Sequence, residues 1–125
     1  MQVFLVEDSP MVRQRLEALL TEVPGIEIVG RAAGAQVAIR DILEARPDLV
    51  VLDVQLAEGS GFDVLRALHA QAPELGVVML SNYSSDPYRQ IAERFGARAF
   101  FDKTREFERV RDALAQFAQP STTTQ

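Results

Sequence analysis

Five short apolar runs, at residues 3–6, 26–29, 49–52, 77–80 and 97–101, punctuate the chain from end to end. Runs of this length, rich in Val, Ile, Leu and Phe, predict strands buried on both faces. Arg98 interrupts the last of them. Between the runs, apolar residues recur at helical spacing. Val12, Leu16, Leu19, Leu20 and Val23 share one face, in a stretch opened by Ser9 as cap and Pro10 at the first helical position and stopped by Pro24-Gly25. Ala35, Ala38, Ile39 and Ile42 form a second stripe, closed by Pro47. Val64, Leu65, Leu68 and Ala72 form a third, closed by Pro73. Tyr88, Ile91, Ala92 and Phe95 form a fourth, ended by Gly96, and Phe107, Val110, Leu114 and Phe117 a fifth.

Strand and helix alternating five times admit few folds. Parallel strands joined by right-handed crossovers put helices on both faces of one sheet, so the expected class is α/β, a (βα)5 doubly wound sheet. A chain of 125 residues suffices for one domain, expected over residues 1–118. Residues 119–125, QPSTTTQ, read as a polar tail or the start of a linker. Hydrophobic residues at 47% and charged residues at 25% exclude a disordered chain.

Several functions are excluded early. With no cysteine there is no disulfide, thiol nucleophile or Cys-ligated metal, and a single histidine excludes a multi-His zinc site. A net charge of −5 argues against direct nucleic-acid binding, which needs clustered cations. No apolar run approaches the ~18 residues that span a bilayer, and the N-terminus MQVFLVEDSP lacks the basic start of a signal peptide. A cytoplasmic location is expected. The pattern GxxxxGK[ST] is absent, so a P-loop nucleotidase is out.

In a doubly wound sheet, sites form beyond the carboxyl ends of the strands, at the point where strand order reverses. The first strand runs into Glu7-Asp8, the third into Asp53, the fourth into Ser81-Asn82-Tyr83 and the fifth into Asp102-Lys103-Thr104. The second runs into Arg31-Ala32-Ala33-Gly34, which carries little chemistry. With the first and third strands adjacent, Glu7, Asp8 and Asp53 share one small volume. Two carboxylates ~4 Å apart repel by roughly 4 kcal/mol at an effective dielectric of 20. Such a cluster calls for raised pKa values or a cation, and an all-oxygen donor set suits Mg²⁺. Lys103 adds a second positive charge and Ser81 a hydroxyl for a phosphoryl oxygen. Asp53, alone after its strand, is then the natural nucleophile toward phosphorus, giving an aspartyl-phosphate.

These residues stand in VFLVEDSPMVR, LVVLDVQLAEGSGFDVL, VVMLSNYS and GARAFFDKT, and in that order and spacing the chain resembles the receiver domain of two-component response regulators over nearly its whole length. The resemblance implies a flavodoxin-like, five-stranded parallel sheet in the order 2-1-3-4-5. It implies Mg²⁺ held by Glu7, Asp8, Asp53 and the Gln55 carbonyl. Asp53 takes the place of the phosphoacceptor, Lys103 that of the family lysine, Ser81 that of the switch hydroxyl and Phe100 that of the switch aromatic. The implied partner is a sensor histidine kinase or phosphotransfer protein that donates the phosphoryl group. The implied output is a changed surface on the fourth helix, fifth strand and fifth helix, through which two copies often pair. The chain is expected to be no enzyme beyond assisting its own phosphorylation and slow dephosphorylation. Hydrolases of the haloacid dehalogenase type carry a second acid two residues past the nucleophile, and here Gln55 stands there.

Some positions depart from the family pattern. Ala57 stands four residues past Asp53 where Pro is common, and Thr104 replaces the usual Pro after Lys103. A trans Lys103-Thr104 bond is therefore expected. Phe100 has no phenol hydroxyl, so it donates no switch hydrogen bond. Gln55 and Tyr83 flank the path of attacking water in receivers, and a bulky Tyr83 is expected to shield the acyl phosphate. His69 is expected at the surface. Against the stand-alone switch stand the receiver half of a DNA-binding regulator and a degenerate receiver that only dimerises.

Overall fold

The computed structural model describes residues 1–82 and 86–118. The strands are β1 (Gln2–Val6), β2 (Glu27–Ala32), β3 (Leu49–Asp53), β4 (Gly76–Ser81) and β5 (Ala99–Asp102). They alternate with α1 (Pro10–Leu20), α2 (Ala35–Ala45), α3 (Gly61–Gln71), α4 (Asp86–Arg94) and α5 (Arg109–Ala118). The strands form one parallel sheet in the order β2-β1-β3-β4-β5, as expected.

The period-2 alternation of the strands sorts the core into two layers. Phe4, Val6, Val50, Leu52, Val77 and Met79 face α2, α3 and α4, where Ala38, Ile42, Leu65, Leu68 and Ala92 meet them. Val3, Leu5, Leu49, Val51, Val78 and Leu80 face α1 and α5, against Leu16, Leu20, Val110 and Leu114. Each helical stripe thus buries one side of the sheet, and β1, β3 and β4 are covered twice.

Local signals behave as their chemistry requires. The Ser9 side chain accepts from the Val12 N–H, with Pro10 opening α1. Ser60 and Asp63 form a reciprocal capping box on α3. Three sequence expectations are corrected. The edge strands β2 and β5 are only half-buried, because each has a neighbour on one side alone. Arg31 and Ala32 belong to β2 rather than to a loop after it. Phe107 precedes α5 and Val23 follows α1, yet both are buried, so their helical spacing came from packing in flanking turns. There is no cis peptide among the described residues, in line with a trans Lys103-Thr104 bond.

Candidate functional site

Register carries the site residues to one edge of the sheet. Val6 pairs with Leu52, so Glu7 and Asp53, each the next residue, emerge side by side. Asp53 pairs with Leu80, placing Ser81 one step beyond, and Ser81 pairs with Asp102, just before Lys103. The β1/β3 boundary is where the chain reverses its direction of winding, the place such sheets use for binding.

Carboxylate oxygens of Glu7, Asp8 and Asp53 lie within 4.8 Å of one another. Glu7 is 1% and Asp53 4% exposed, while Asp8 faces solvent. The Lys103 ammonium reaches between them, 2.9 Å from Glu7 Oε1 and donating to Asp53 Oδ2 at 3.0 Å. The Ser9 N–H donates to Glu7 Oε2 at 3.1 Å. Glu7 Oε1 has the ion pair with Lys103 but no aligned hydrogen-bond donor. A buried carboxylate oxygen left in that condition, beside two further carboxylates, is an acceptor set suited to a hard divalent cation. The donors fit Mg²⁺, and Gln55 lines the same cavity.

The electrostatics follow from crowding. Burial pushes the Glu7 carboxyl up to about 7; the Lys103 contact opposes this, and the Asp53 charge adds to it. Burial likewise raises Asp53, against the pull of Lys103. Burial acts to lower Lys103, but its contacts with Glu7 and Asp53 outweigh that and hold the ammonium above the ordinary lysine value. One ammonium does not balance three carboxylates, and the site is short of positive charge.

Backbone details aim the parts. Gly61 packs so tightly on the end of β3 that a Cβ there would collide with the Asp53 carbonyl oxygen, and its N–H donates to Val54 O at 2.7 Å. The Lys103 N–H donates to Ser81 O at 2.7 Å, joining the lysine loop to β4. In place of the family's proline, two carboxylates shape this loop. Asp102 Oδ1 accepts from the N–H groups of Thr104 and Arg105, and Glu106 Oε1 accepts from the Asp102 N–H. Arg89 on α4 donates to Glu106 and to the Phe100 carbonyl oxygen, with its guanidinium 5.2 Å above the Phe100 ring.

Glu7, Asp8, Asp53, Gln55 and Lys103 therefore line one cavity of about 480 Å³, together with Asn82, Arg15, Thr104 and Phe107. Ser81 is buried at the end of β4. Phe100 is half-buried under Arg89 and does not line the cavity. Tyr83 and the tail at residues 119–125 lie outside the described residues. His69 is exposed, edge-on to Phe95. Sequence reading missed Arg15 and Glu106. Arg15 lies inside a helix and Glu106 four residues past the end of β5, so neither stands directly at a strand end.

Comparison with known proteins gives the same picture. The family model described as the response regulator receiver domain matches residues 3–115. The DNA-binding transcriptional activator DevR/DosR of Mycobacterium tuberculosis is 37% identical over 102 residues, which are 82% of this chain and 47% of that protein. A protein-glutamate methylesterase/protein-glutamine glutaminase of a Nocardioides species is 30% identical over 122 residues, 90% of this chain and 33% of that one. The chain spans about half the length or less of the curated relatives it matches. Among solved structures, a LuxR-family two-component response regulator from an Aurantimonas species superposes with a TM-score of 0.87 at 25% identity, covering 94% of this chain and 84% of that one. The CheX-CheY-BeF3-Mg complex of Borrelia burgdorferi gives a TM-score of 0.87 at 20% identity, covering 96% and 90%, a likeness of fold.

Proposed function

Given that the chain belongs to the response regulator receiver domain family, we propose that it is a phosphorylation-controlled switch whose acceptor is Asp53. The observation that supports this is the convergence of Glu7, Asp8 and Asp53 within 4.8 Å around a lysine that touches two of them. Glu7, Asp8, the Asp53 carboxylate and the Gln55 carbonyl would hold Mg²⁺. When bound, the ion supplies positive charge against the oxygens of the transferring phosphoryl group.

The chain's own residues do the rest. Gly61 and the β3 backbone fix the direction of Asp53. A carboxylate oxygen of Asp53 is the nucleophile, and Lys103, already 3.0 Å from it, neutralises the added charge. The product carries about one more negative charge than the carboxylate. Ser81 offers its hydroxyl to a phosphoryl oxygen, and Lys103 shifts from Glu7 toward the new dianion. Movement at Ser81 and the lysine loop reaches Phe100, Glu106 and Arg89, and so the surface of α4, β5 and α5. The switch biases a pre-existing equilibrium. The donor is a sensor histidine kinase or phosphotransfer protein in the cytoplasm, the target is a protein that reads that surface, and a second copy of the chain is one such reader. Beyond assisting its own phosphorylation and slow dephosphorylation, the domain is no enzyme.

Incubation with acetyl phosphate and Mg²⁺ tests the reading by intact mass. One phosphoryl group should appear on the wild-type chain and none on Asp53→Asn; equal labelling of both removes Asp53 as acceptor. A second reading, the receiver part of a DNA-binding regulator, is favoured by the 37% identity to DevR/DosR, of which this chain spans 47%. Sequencing the reading frame past Gln125 distinguishes the two.

A further inference from the structure

We propose that Arg15 is a donor-binding residue, which holds the phosphoryl oxygens of a small dianionic acyl phosphate at the mouth of the site. This rests on the reading of Asp53 as acceptor and adds to it a residue outside the acidic cluster that captures the donor.

Arg15 lies on the exposed side of α1, nearly two turns past Asp8. Helical side chains lean toward the helix N-terminus, so Arg15 covers the turn that leads to the acidic cluster. Its guanidinium carbon sits 4.4 Å from the centroid of the Phe107 ring, and Phe107 is itself buried. That stack holds a long, flexible side chain in one place before any ligand arrives. The residue lines the cavity that contains Asp53 and Lys103. It also lines the adjoining groove of about 600 Å³ between α1 and α5, so it stands on the wall where the two meet.

Arg15 is not paired with an acid. Among the described residues no carboxylate lies within ion-pair distance of it, whereas Arg31, Arg66, Arg89 and Arg111 are all paired. Its planar fork of donors is therefore open to a ligand, and that geometry matches phosphoryl oxygens. The charge count supplies the need. Three carboxylates and Lys103 leave two negative charges, which a divalent cation cancels. A dianionic donor makes the site negative again, and a guanidinium at the mouth offsets half of that excess.

In the transfer, a carboxylate oxygen of Asp53 bonds to phosphorus while the bond between phosphorus and the acyl oxygen breaks. The carboxylic acid's anion leaves with that electron pair, and no proton moves. Arg15 acts on capture of the donor, not on the bond exchange.

The test compares two small donors at saturating Mg²⁺ near neutral pH. Acetyl phosphate is a dianion there, whereas phosphoramidate carries less net charge because its nitrogen holds a proton. Arg15→Ala should slow labelling by acetyl phosphate about five-fold and by phosphoramidate less than about two-fold, with added salt narrowing the first difference. Arg15→Lys should recover part of the loss, since it keeps the charge without the planar fork. Mg²⁺ affinity, measured by calorimetry, should be unchanged. An equal fall with both donors, or no fall with either, overturns the proposal, since a merely structural arginine does not distinguish them. If Arg15→Ala fails to fold, Arg15→Gln keeps the stem on Phe107 and serves in its place. A wild-type chain that labels with neither donor overturns the acceptor reading instead, which separates the two failures.

Discussion

In the absence of metal, Glu7→Gln should make the protein more stable at neutral and alkaline pH while removing one of the proposed Mg²⁺ ligands. Burial lifts the Glu7 carboxyl from 4.5 to about 7 in the folded chain. The folded state therefore holds a proton on Glu7 that the unfolded state has already released. The stability this contributes is complete below the unfolded value of 4.5 and is lost as pH rises through about 7. At ~1.4 kcal/mol per pH unit, that window corresponds to about 3 kcal/mol. The residue is 1% exposed, so solvent screening does not discount it. Gln keeps an oxygen for the Ser9 N–H and stays neutral at every pH, and Lys103 remains paired with Asp53. Urea unfolding followed by circular dichroism, with a chelator present, should show the variant more stable by about 3 kcal/mol near pH 8, roughly 10 °C in Tm, and equal to wild type near pH 4.5. Asp53, whose carboxyl is also raised by burial, repels the Glu7 charge, so that repulsion is already part of the Glu7 shift and disappears with it in the variant. Only the burial part of the Asp53 slope is common to both proteins. A variant less stable than wild type near pH 8, or a difference that does not change with pH, refutes the claim that burying the Glu7 carboxylate costs the metal-free fold this stability.

Mg²⁺ at a hundred times its dissociation constant should stabilise the wild type by about 2.7 kcal/mol and leave Glu7→Gln little changed, read from Tm with and without chelator. Its affinity should rise with pH through about 7, because a protonated Glu7 does not ligate; a pH-independent constant by calorimetry contradicts this. Gly61→Ala should slow labelling of Asp53 and destabilise the chain by about 2 kcal/mol, since the new methyl collides with the Asp53 carbonyl oxygen and must push β3 or α3 aside. Leu52→Ala, next to Asp53 in β3 and fully buried, should cost about 3 kcal/mol in urea unfolding. Arg89→Ala should speed hydrogen exchange at the Asp102 N–H modestly, because Glu106 loses the Arg89 contact to its Oε1 and keeps the Arg109 contact to its Oε2.

Much of this protein is legible in its residue order. Runs such as LVVL and VVML have nowhere to hide both faces except between two helical layers, so the sheet, its crossovers and the acids at its strand ends follow from hydrophobic patterning. Patterning does not distinguish edge from centre, which is why β2 and β5 are less buried than their composition suggests. Nor does it separate a helix from the turn beside it. Phe107 keeps helical spacing with Val110 and Leu114 but sits before α5, where it becomes the platform for Arg15. The lysine loop shows the same limit: with Thr104 in place of proline, its shape comes from Asp102 and Glu106 binding backbone N–H groups, a choice no local propensity records. Residue order sets which groups lie within a few positions of one another and which faces seek burial. Side chains from α1, α4 and the β5–α5 loop meet only after the sheet has been assembled, and distances of a few ångströms between them determine which charges pair and which remain free to bind a ligand.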